Sequence, residues 1–322
     1  MGAKLFATPD NPAPDNYTAS YFTTHDGIQL RYGVFRSAIV PARGTVVLLH
    51  GRNECIEKYF ETIRDLNDRG LWVATYDFRG QGGSARLLRD GMPGHVRRFS
   101  DYERDLTTFL EDVVLPDTRM PFFLLGHSTG SLIALSAATR LESRIERMVL
   151  CAPFIGIAHR SLSLPAIHCL SRLYCLAGLG KLQVGRQTIH SGFENNPLTS
   201  DERRFNRNAA FLVSHPELGI GLPTALWLRE AVTAIRRVTR PEHLARIRIP
   251  SLVIAPTRDG VIPYADQERL TRYFRASQLV TIYGSRHEIL QERDVYRAQA
   301  LAAIHAFIPG SDAVEQPAAL AD

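Results

Sequence analysis

Cysteine is scarce. The four in the chain, Cys55, Cys151, Cys169 and Cys175, are irregularly spaced and lie mostly in apolar surroundings. That pattern argues against a disulfide frame and predicts buried free thiols. Zinc-ligand spacing is missing too, so no metal and no cofactor is expected. Long hydrophobic runs are also absent, since no stretch approaches the roughly 20 apolar residues of a membrane span. Residues 1–14 are polar and proline-rich, without the apolar core of a secretion signal. Met1 and Gly2 open like a myristoylation site, but Phe6 stands where that motif requires Ser or Thr. The expectation is a cytoplasmic protein. No internal repeat is present, and nothing in the sequence reports on oligomeric state. What is abundant is ordinary core material: 45% of the 322 residues are hydrophobic, enough to bury a large core and to exclude global disorder.

The formal net charge of +5 is unevenly spread. Residues 154–246 hold twelve Lys or Arg against six Asp or Glu. A basic surface of this kind is either simply solvated or faces anionic lipid headgroups and phosphate-bearing substrates. Nucleic acid is not expected as a partner, because no helix-turn-helix, zinc-finger or RNA-binding signature accompanies the charge.

The most informative stretch is 121–138. A near-continuous apolar run ends in Gly126-His127-Ser128-Thr129-Gly130, and a run of helical composition follows. Strand, sharp turn and helix in that order are the context in which Gly-x-Ser-x-Gly exposes a nucleophilic serine. The glycines are required because side chains there would collide with neighbouring backbone. At a helix N-terminus the serine oxygen would sit beside unpaired N–H groups and the positive end of the helix dipole.

Around this turn the chain reads as alternating strands and helices. An antiparallel hairpin is expected at 21–35, turning at Asp26-Gly27. Buried strands follow at 44–51 and 71–77, with a helix at 60–66 between them. A second helix is expected at 105–114, with Ser100 and Glu103 as its capping box. Further strands fall at 121–127 and 147–152. The alternation then breaks after Pro153 and resumes at 250–256, with a helix near 265–274, a strand at 279–283 and a last helix at 295–307. Such alternation implies right-handed crossovers and a mostly parallel sheet with helices on both faces. The expected layout is a flexible segment at 1–18, core at 19–153, an inserted lid at 154–246, core again at 247–310, and a disordered tail at 311–322.

A serine hydroxyl is a weak nucleophile until a base takes its proton, and that base must be oriented by an acid. Two later strands end in suitable groups, Asp259 and His287, and the chain order Ser128, Asp259, His287 is the one hydrolases with this turn follow. Competing bases are His50, His95, His127 and His305; competing acids are Asp77 and Asp266. His305, in the last helix, and His127, inside the turn, are poorly placed to face Ser128. Two N–H donors are needed for the oxyanion of an acyl-transfer intermediate. The backbone groups of Thr129 and Arg52 are the candidates, the latter in the loop after the first parallel strand. The glycine-rich stretch 77–84 lacks the Lys-Ser/Thr of a nucleotide loop and reads as a turn supporting that loop.

Taken together, His50-Gly51, Asp77-x-Arg79-Gly80-x-Gly82-x-Ser84, Gly126-x-Ser128-x-Gly130, Asp259-x-x-Ile262-Pro263 and His287-Glu288-Ile289-Leu290-x-Glu292 resemble the α/β-hydrolase fold, in particular its lysophospholipase and monoacylglycerol lipase branch. The resemblance spans about residues 21–308. It implies a mostly parallel eight-stranded sheet, helices on both faces, and an inserted, mainly helical lid shaping an acyl-chain channel. It also implies a serine esterase acting on a small lipid ester, a lysophospholipid or a monoacylglycerol, through an acyl-enzyme. The alternatives are a carboxylesterase or aminopeptidase with the same triad, and a non-catalytic lipid- or partner-binding protein. The chain departs from the branch at Arg52-Asn53, where a small residue and a second glycine are common, and at Thr129-Gly130-Ser131, where Met-Gly-Gly is. The backbone donors survive both changes. Within the insertion, Leu162, Leu164, Ile167, Leu170, Leu173, Leu176 and Leu179 recur at helix-like spacing, with Arg160, Arg172 and Lys181 among them. That stripe is either core or an apolar tunnel or membrane-touching surface, which would give the protein peripheral contact with the membrane.

Overall fold

A strand covered on both faces is apolar along nearly its whole length, and this explains the near-continuous apolar runs in the sequence. The computed structural model of the protein describes residues 2–158, 161–185 and 192–308. Its strands are β1 (Tyr17–Thr23), β2 (Gln29–Phe35), β3 (Gly44–Leu49), β4 (Leu71–Tyr76), β5 (Phe122–His127), β6 (Arg147–Cys151), β7 (Ser251–Pro256) and β8 (Ser277–Ile282). They form one eight-stranded sheet in the order β1-β2-β4-β3-β5-β6-β7-β8. The β1-β2 and β2-β4 pairs are antiparallel, and all the others are parallel. Every residue of β3, β5 and β7 is buried.

The helices are α1 (Phe60–Asn67), α2 (Phe99–Phe109), α3 (Leu115–Asp117), α4 (Thr129–Ala137), α5 (Leu164–Leu176), α6 (Glu202–Ser214), α7 (Ala225–Val238), α8 (Pro241–Leu244), α9 (Tyr264–Tyr273) and α10 (Asp294–Phe307). Alternate strand residues feed two separate cores. Val47, Leu49, Leu124, Leu150 and Val253 meet α2, α4 and α7 on one face. On the other, Val46, Leu48, Leu125, Val149 and Ile254 meet α1 and α10. Helix α4 has no charged side chain and is buried along its whole length, as a helix with core on all sides must be. The sheet order reverses at β3, which is flanked by β4 on one side and β5 on the other. Sites in open α/β sheets form in the crevice at such a reversal, beyond the C-terminal ends of the strands.

Several expectations need correction. The second helix starts at Phe99, not at 105, because Phe99, Tyr102, Leu106 and Phe109 form its buried stripe. Its first turn is capped by Asp101, whose carboxylate accepts from the Arg98 N–H at 3.2 Å. Glu103 instead faces α7 and is paired with Arg140 and Arg237. The N-terminal segment, read as flexible, is fastened to the core. Leu5 is buried, Ala3 N–H donates to Ala19 at 3.1 Å, and the Asn11 amide donates to the Glu57 carbonyl at 2.7 Å. All four cysteines are free, but only Cys55 and Cys151 are buried.

The inserted segment divides in two. Helix α7 belongs to the main core, with Trp227, Ala231, Ala234, Ile235 and Val238 packed there. Helix α5 sits on α7 and turns much of its leucine stripe outward: Leu173 is 54% and Leu176 80% exposed. Among the described residues no helix is long and apolar enough to cross a membrane. The expected tail at 311–322, and Arg160 and Arg186 of the basic segment, lie outside the described residues.

Candidate active site

The turn after β5 shows why its two glycines are needed. A Cβ on Gly130 would lie 2.1 Å from the Leu49 carbonyl oxygen and 2.6 Å from that of His50; one on Gly126 would lie 2.7 Å from Ser131 N. Without side chains there, α4 starts directly against the end of β3. Ser128 itself has φ 49° and ψ −112°, outside the region L-residues prefer. Such a conformation costs about 1–3 kcal/mol and persists only where its surroundings enforce it. Here Ser128 N–H donates to the Cys151 carbonyl at 3.0 Å, and the Ser128 carbonyl accepts from Leu132 and Phe154, each at 3.1 Å.

The three residues singled out by chain order converge on this point. His287 Nε2 lies 3.0 Å from Ser128 Oγ, and His287 Nδ1 lies 2.8 Å from Asp259 Oδ2. The other Asp259 oxygen accepts the backbone N–H groups of Val261 and Ile262 at 2.7 and 2.9 Å. That explains the Asp-x-x-Ile pattern physically, since the local turn clamps one carboxylate oxygen and leaves the other for the imidazole. The His287 loop is fastened by Arg286, whose guanidinium donates to the Asn196 and Thr199 carbonyls at 2.9 Å. The Glu288 N–H donates to Leu198 at 2.8 Å.

Opposite lies the loop after β3. The backbone N–H groups of Arg52 and Thr129, the expected oxyanion donors, have no hydrogen-bond acceptor among the described residues. Gln81 straddles the loop, accepting from Asn53 N–H at 3.0 Å. Asp77 binds Ile56 N–H at 3.0 Å and Gly83 N–H at 2.7 Å, so the glycine-rich stretch props up the loop from behind. The inserted segment holds it in front. Arg52 donates to the Gly221 carbonyl, Asn53 Oδ1 accepts from Ile220 N–H at 2.8 Å, and Gly94 and Thr224 are stitched by backbone bonds across 92–95 and 221–224.

The competing histidines are engaged elsewhere. His50 Nδ1 lies 2.8 Å from the Gly51 carbonyl, His95 Nδ1 lies 3.0 Å from Thr224 Oγ1, and His305 sits on α10. Asp77 is bound to Arg31 at 2.6 Å, and Asp266 to Arg269 at 3.1 Å. His25, Asp26 and Asp105 come within 4.8 Å of one another, as metal ligands could. The Arg79 guanidinium sits among them, however, and bonds both carboxylates.

Sequence reasoning missed a buried charged trio beside the serine. Lys58 Nζ is 2.8 Å from Glu54 and 2.7 Å from Glu288, and Glu54 also accepts from Gly51 N–H and, at 2.8 Å, from Tyr59 OH. Burial alone would raise the Glu54 carboxyl, but Lys58 and the nearby imidazoles outweigh it and hold it well below the usual carboxylate range. His127 faces this trio, 3.7 Å from Glu54, and burial pushes its imidazole down to about 3. The Glu54-Lys58 spacing was a readable i,i+4 signal, whereas Glu288 joins only through the fold. Ser128, His287, the trio, Arg52 and Trp227 all line one cavity of about 690 Å³.

The serine aminopeptidase S33 family matches residues 40–294, most of the chain. The chain belongs to this family. As an S33 protein it is similar to lysophospholipase L2 of Escherichia coli K12, at 32% identity over 296 residues, covering 88% of this chain and 85% of that protein. It is also similar to a monoacylglycerol lipase of Mycolicibacterium smegmatis, at 28% over 273 residues, covering 83% and 88%. A soluble variant of the Saccharomyces cerevisiae monoglyceride lipase has the same fold, with a TM-score of 0.74 at 18% identity, covering 97% of this chain and all of that one. The S33 chain is thus an α/β-hydrolase of the serine ester hydrolase kind.

Proposed function

We propose that the protein hydrolyses carboxylic esters of single-chain lipids, lysophospholipids or monoacylglycerols, through an acyl-enzyme on Ser128. The observation that carries this is the unbroken line of hydrogen bonds from Ser128 Oγ through His287 to Asp259, opening onto the 690 Å³ cavity with Phe154, Ile157, Leu212, Trp227 and Leu228 in its wall. His287 Nε2 takes the Ser128 proton as Oγ attacks the ester carbonyl, while Asp259 holds the imidazolium. The Arg52 and Thr129 N–H groups receive the oxyanion. His287 then gives its proton to the departing alcohol oxygen, and the acyl–Oγ bond is cleaved by water activated in the same way. The relatives named as lysophospholipase and monoacylglycerol lipase support a lipid ester, and the apolar wall supports a single acyl chain.

In this reading the part of 154–246 that lies outside the main core acts as a lid over the acyl chain. The outward leucines of α5, with Arg172 and Lys181 near them, make peripheral contact with a lipid surface. A fluorophosphonate probe and four substrates test the assignment: lysophosphatidylcholine, a monoacylglycerol, a short p-nitrophenyl ester and an aminoacyl amide. Labelling of wild type but not of Ser128→Ala, with the lipid esters cleaved fastest, is expected. Labelling of neither would point to a non-catalytic binder, and preference for the amide to a peptidase. Vesicle co-sedimentation that survives Leu173→Gln/Leu176→Gln would remove α5 as the membrane contact.

A further inference from the structure

Among the described residues the cavity wall holds six charged side chains, Arg52, Glu54, Glu57, Lys58, Arg207 and Glu288. Five are matched by opposite charge. Lys58 lies between Glu54 and Glu288, Glu57 is 2.8 Å from Arg31, and Arg207 is 2.8 Å from Glu61. Arg52 is different. Among the described residues it has no carboxylate partner; its guanidinium donates to the Gly221 carbonyl, lies 5.5 Å from the centre of the Trp227 ring, and leaves a buried Nε–H with no acceptor. Burial pushes it down to about 10, an unusual value for an arginine.

A half-buried cation whose Nε–H has lost its water and that has no counter-charge is under-solvated, and the imbalance is relieved when a ligand brings the anion. We infer that Arg52 is a specificity residue whose guanidinium binds the phosphate of a lysophospholipid headgroup. This rests on the ester-hydrolase reading above and extends it to the alcohol side of the substrate. The guanidinium belongs to the residue whose own N–H is proposed to meet the scissile carbonyl. The glycerol bridge between an acyl carbonyl and a phosphate is about as long as an arginine side chain, so one residue can serve both ends. Two oxygens of a phosphodiester suit the planar fork of donors. A monoacylglycerol offers only hydroxyls there and leaves the charge unanswered.

The test compares kcat/KM for lysophosphatidylglycerol and for a monoacylglycerol of the same acyl chain, in wild type, Arg52→Gln, Arg52→Lys and Ser128→Ala. The ratio favouring the phospholipid should fall about tenfold to a hundredfold in Arg52→Gln, mainly through KM, with Arg52→Lys between. Equal losses on both substrates would overturn the inference and leave Arg52 as a loop fastener. Absence of Ser128-dependent cleavage of either lipid by wild type would instead bring down the hydrolase reading itself. A second measurement needs no variant: sn-glycerol 3-phosphate should inhibit wild-type cleavage of a short neutral ester at far lower concentration than glycerol, and salt should weaken it. Equal inhibition by the two would refute the subsite. Inorganic phosphate as potent as glycerol 3-phosphate would replace the headgroup assignment with a free-anion site.

Discussion

Gly130→Ala is the sharpest probe of how the site is built. The added methyl would stand 2.1 Å from the Leu49 carbonyl oxygen, where ordinary contact begins near 3.4 Å, so about 1.3 Å of separation must be found. Both obstructing atoms are backbone, at the end of β3, and cannot swing aside as a side chain would. Either α4 recedes, taking the Thr129 N–H with it, or the loop carrying Arg52 does. A displacement of that size between nucleophile and oxyanion donors costs about 10²-fold in kcat, and overpacking of this kind costs about 1–3 kcal/mol of stability. Ester turnover, fluorophosphonate labelling rate and thermal unfolding should be followed together. Gly192→Ala, where a methyl would meet nothing within 4 Å among the described residues, is the control and should stay within about 0.5 kcal/mol of wild type. Wild-type turnover and midpoint in Gly130→Ala would refute the idea that β3 and α4 are held at minimum separation to position the donors.

Asp259→Asn should lower kcat by about 10⁴-fold with little change in melting temperature. The Val261 and Ile262 N–H groups will keep the amide oxygen, turning its NH₂ toward His287 and forcing the wrong tautomer; activity within tenfold of wild type would contradict this. His127 gives a pH prediction. Its ordinary value of 6.5 falls to about 3 in the fold, so between those pH values the unfolded chain binds a proton that the native one refuses. Stability from this group therefore declines as pH drops through that window, by up to about 1.4 kcal/mol per pH unit, and urea midpoints at pH 7 and pH 4.5 should converge in His127→Gln. An unchanged slope would exclude His127 as the cause. Arg31→Met should cost about 3–5 kcal/mol, because it strands Glu57 and Asp77, both buried against the guanidinium; a loss under 1 kcal/mol in urea melts would show that the cluster relaxes freely.

The sheet and the serine turn were legible in the sequence because they rest on local signals. Fully covered strands read as apolar runs, and the turn carries its glycines within two residues of Ser128. Asp259 and His287 were readable because each follows a strand. What was not legible depends on distant partners. Helix α2 begins at Phe99 since Phe99 and Tyr102 have a core to enter and Glu103 has Arg140 and Arg237 to meet, none of which a capping pattern reveals. Both helices of the insertion are apolar in sequence, yet α7 is core and α5 largely exposed, because α7 packs on α4 and α5 packs on the outside of α7. The N-terminal segment looks structureless until Asn11 finds Glu57 and Lys4 finds Arg31.

The stitching of Ile220 and Gly221 to the loop after β3 has a consequence for chimaeras. Exchanging the insertion for that of another S33 protein would remove the acceptor of Arg52 and the donor to Asn53 in a single cut. A transplant that carries residues 52, 53 and 94 along with the new segment should keep its turnover, whereas one spliced only at the apparent boundaries should fold and yet catalyse poorly. The modular unit in this architecture is the insertion together with the short loop it leans on.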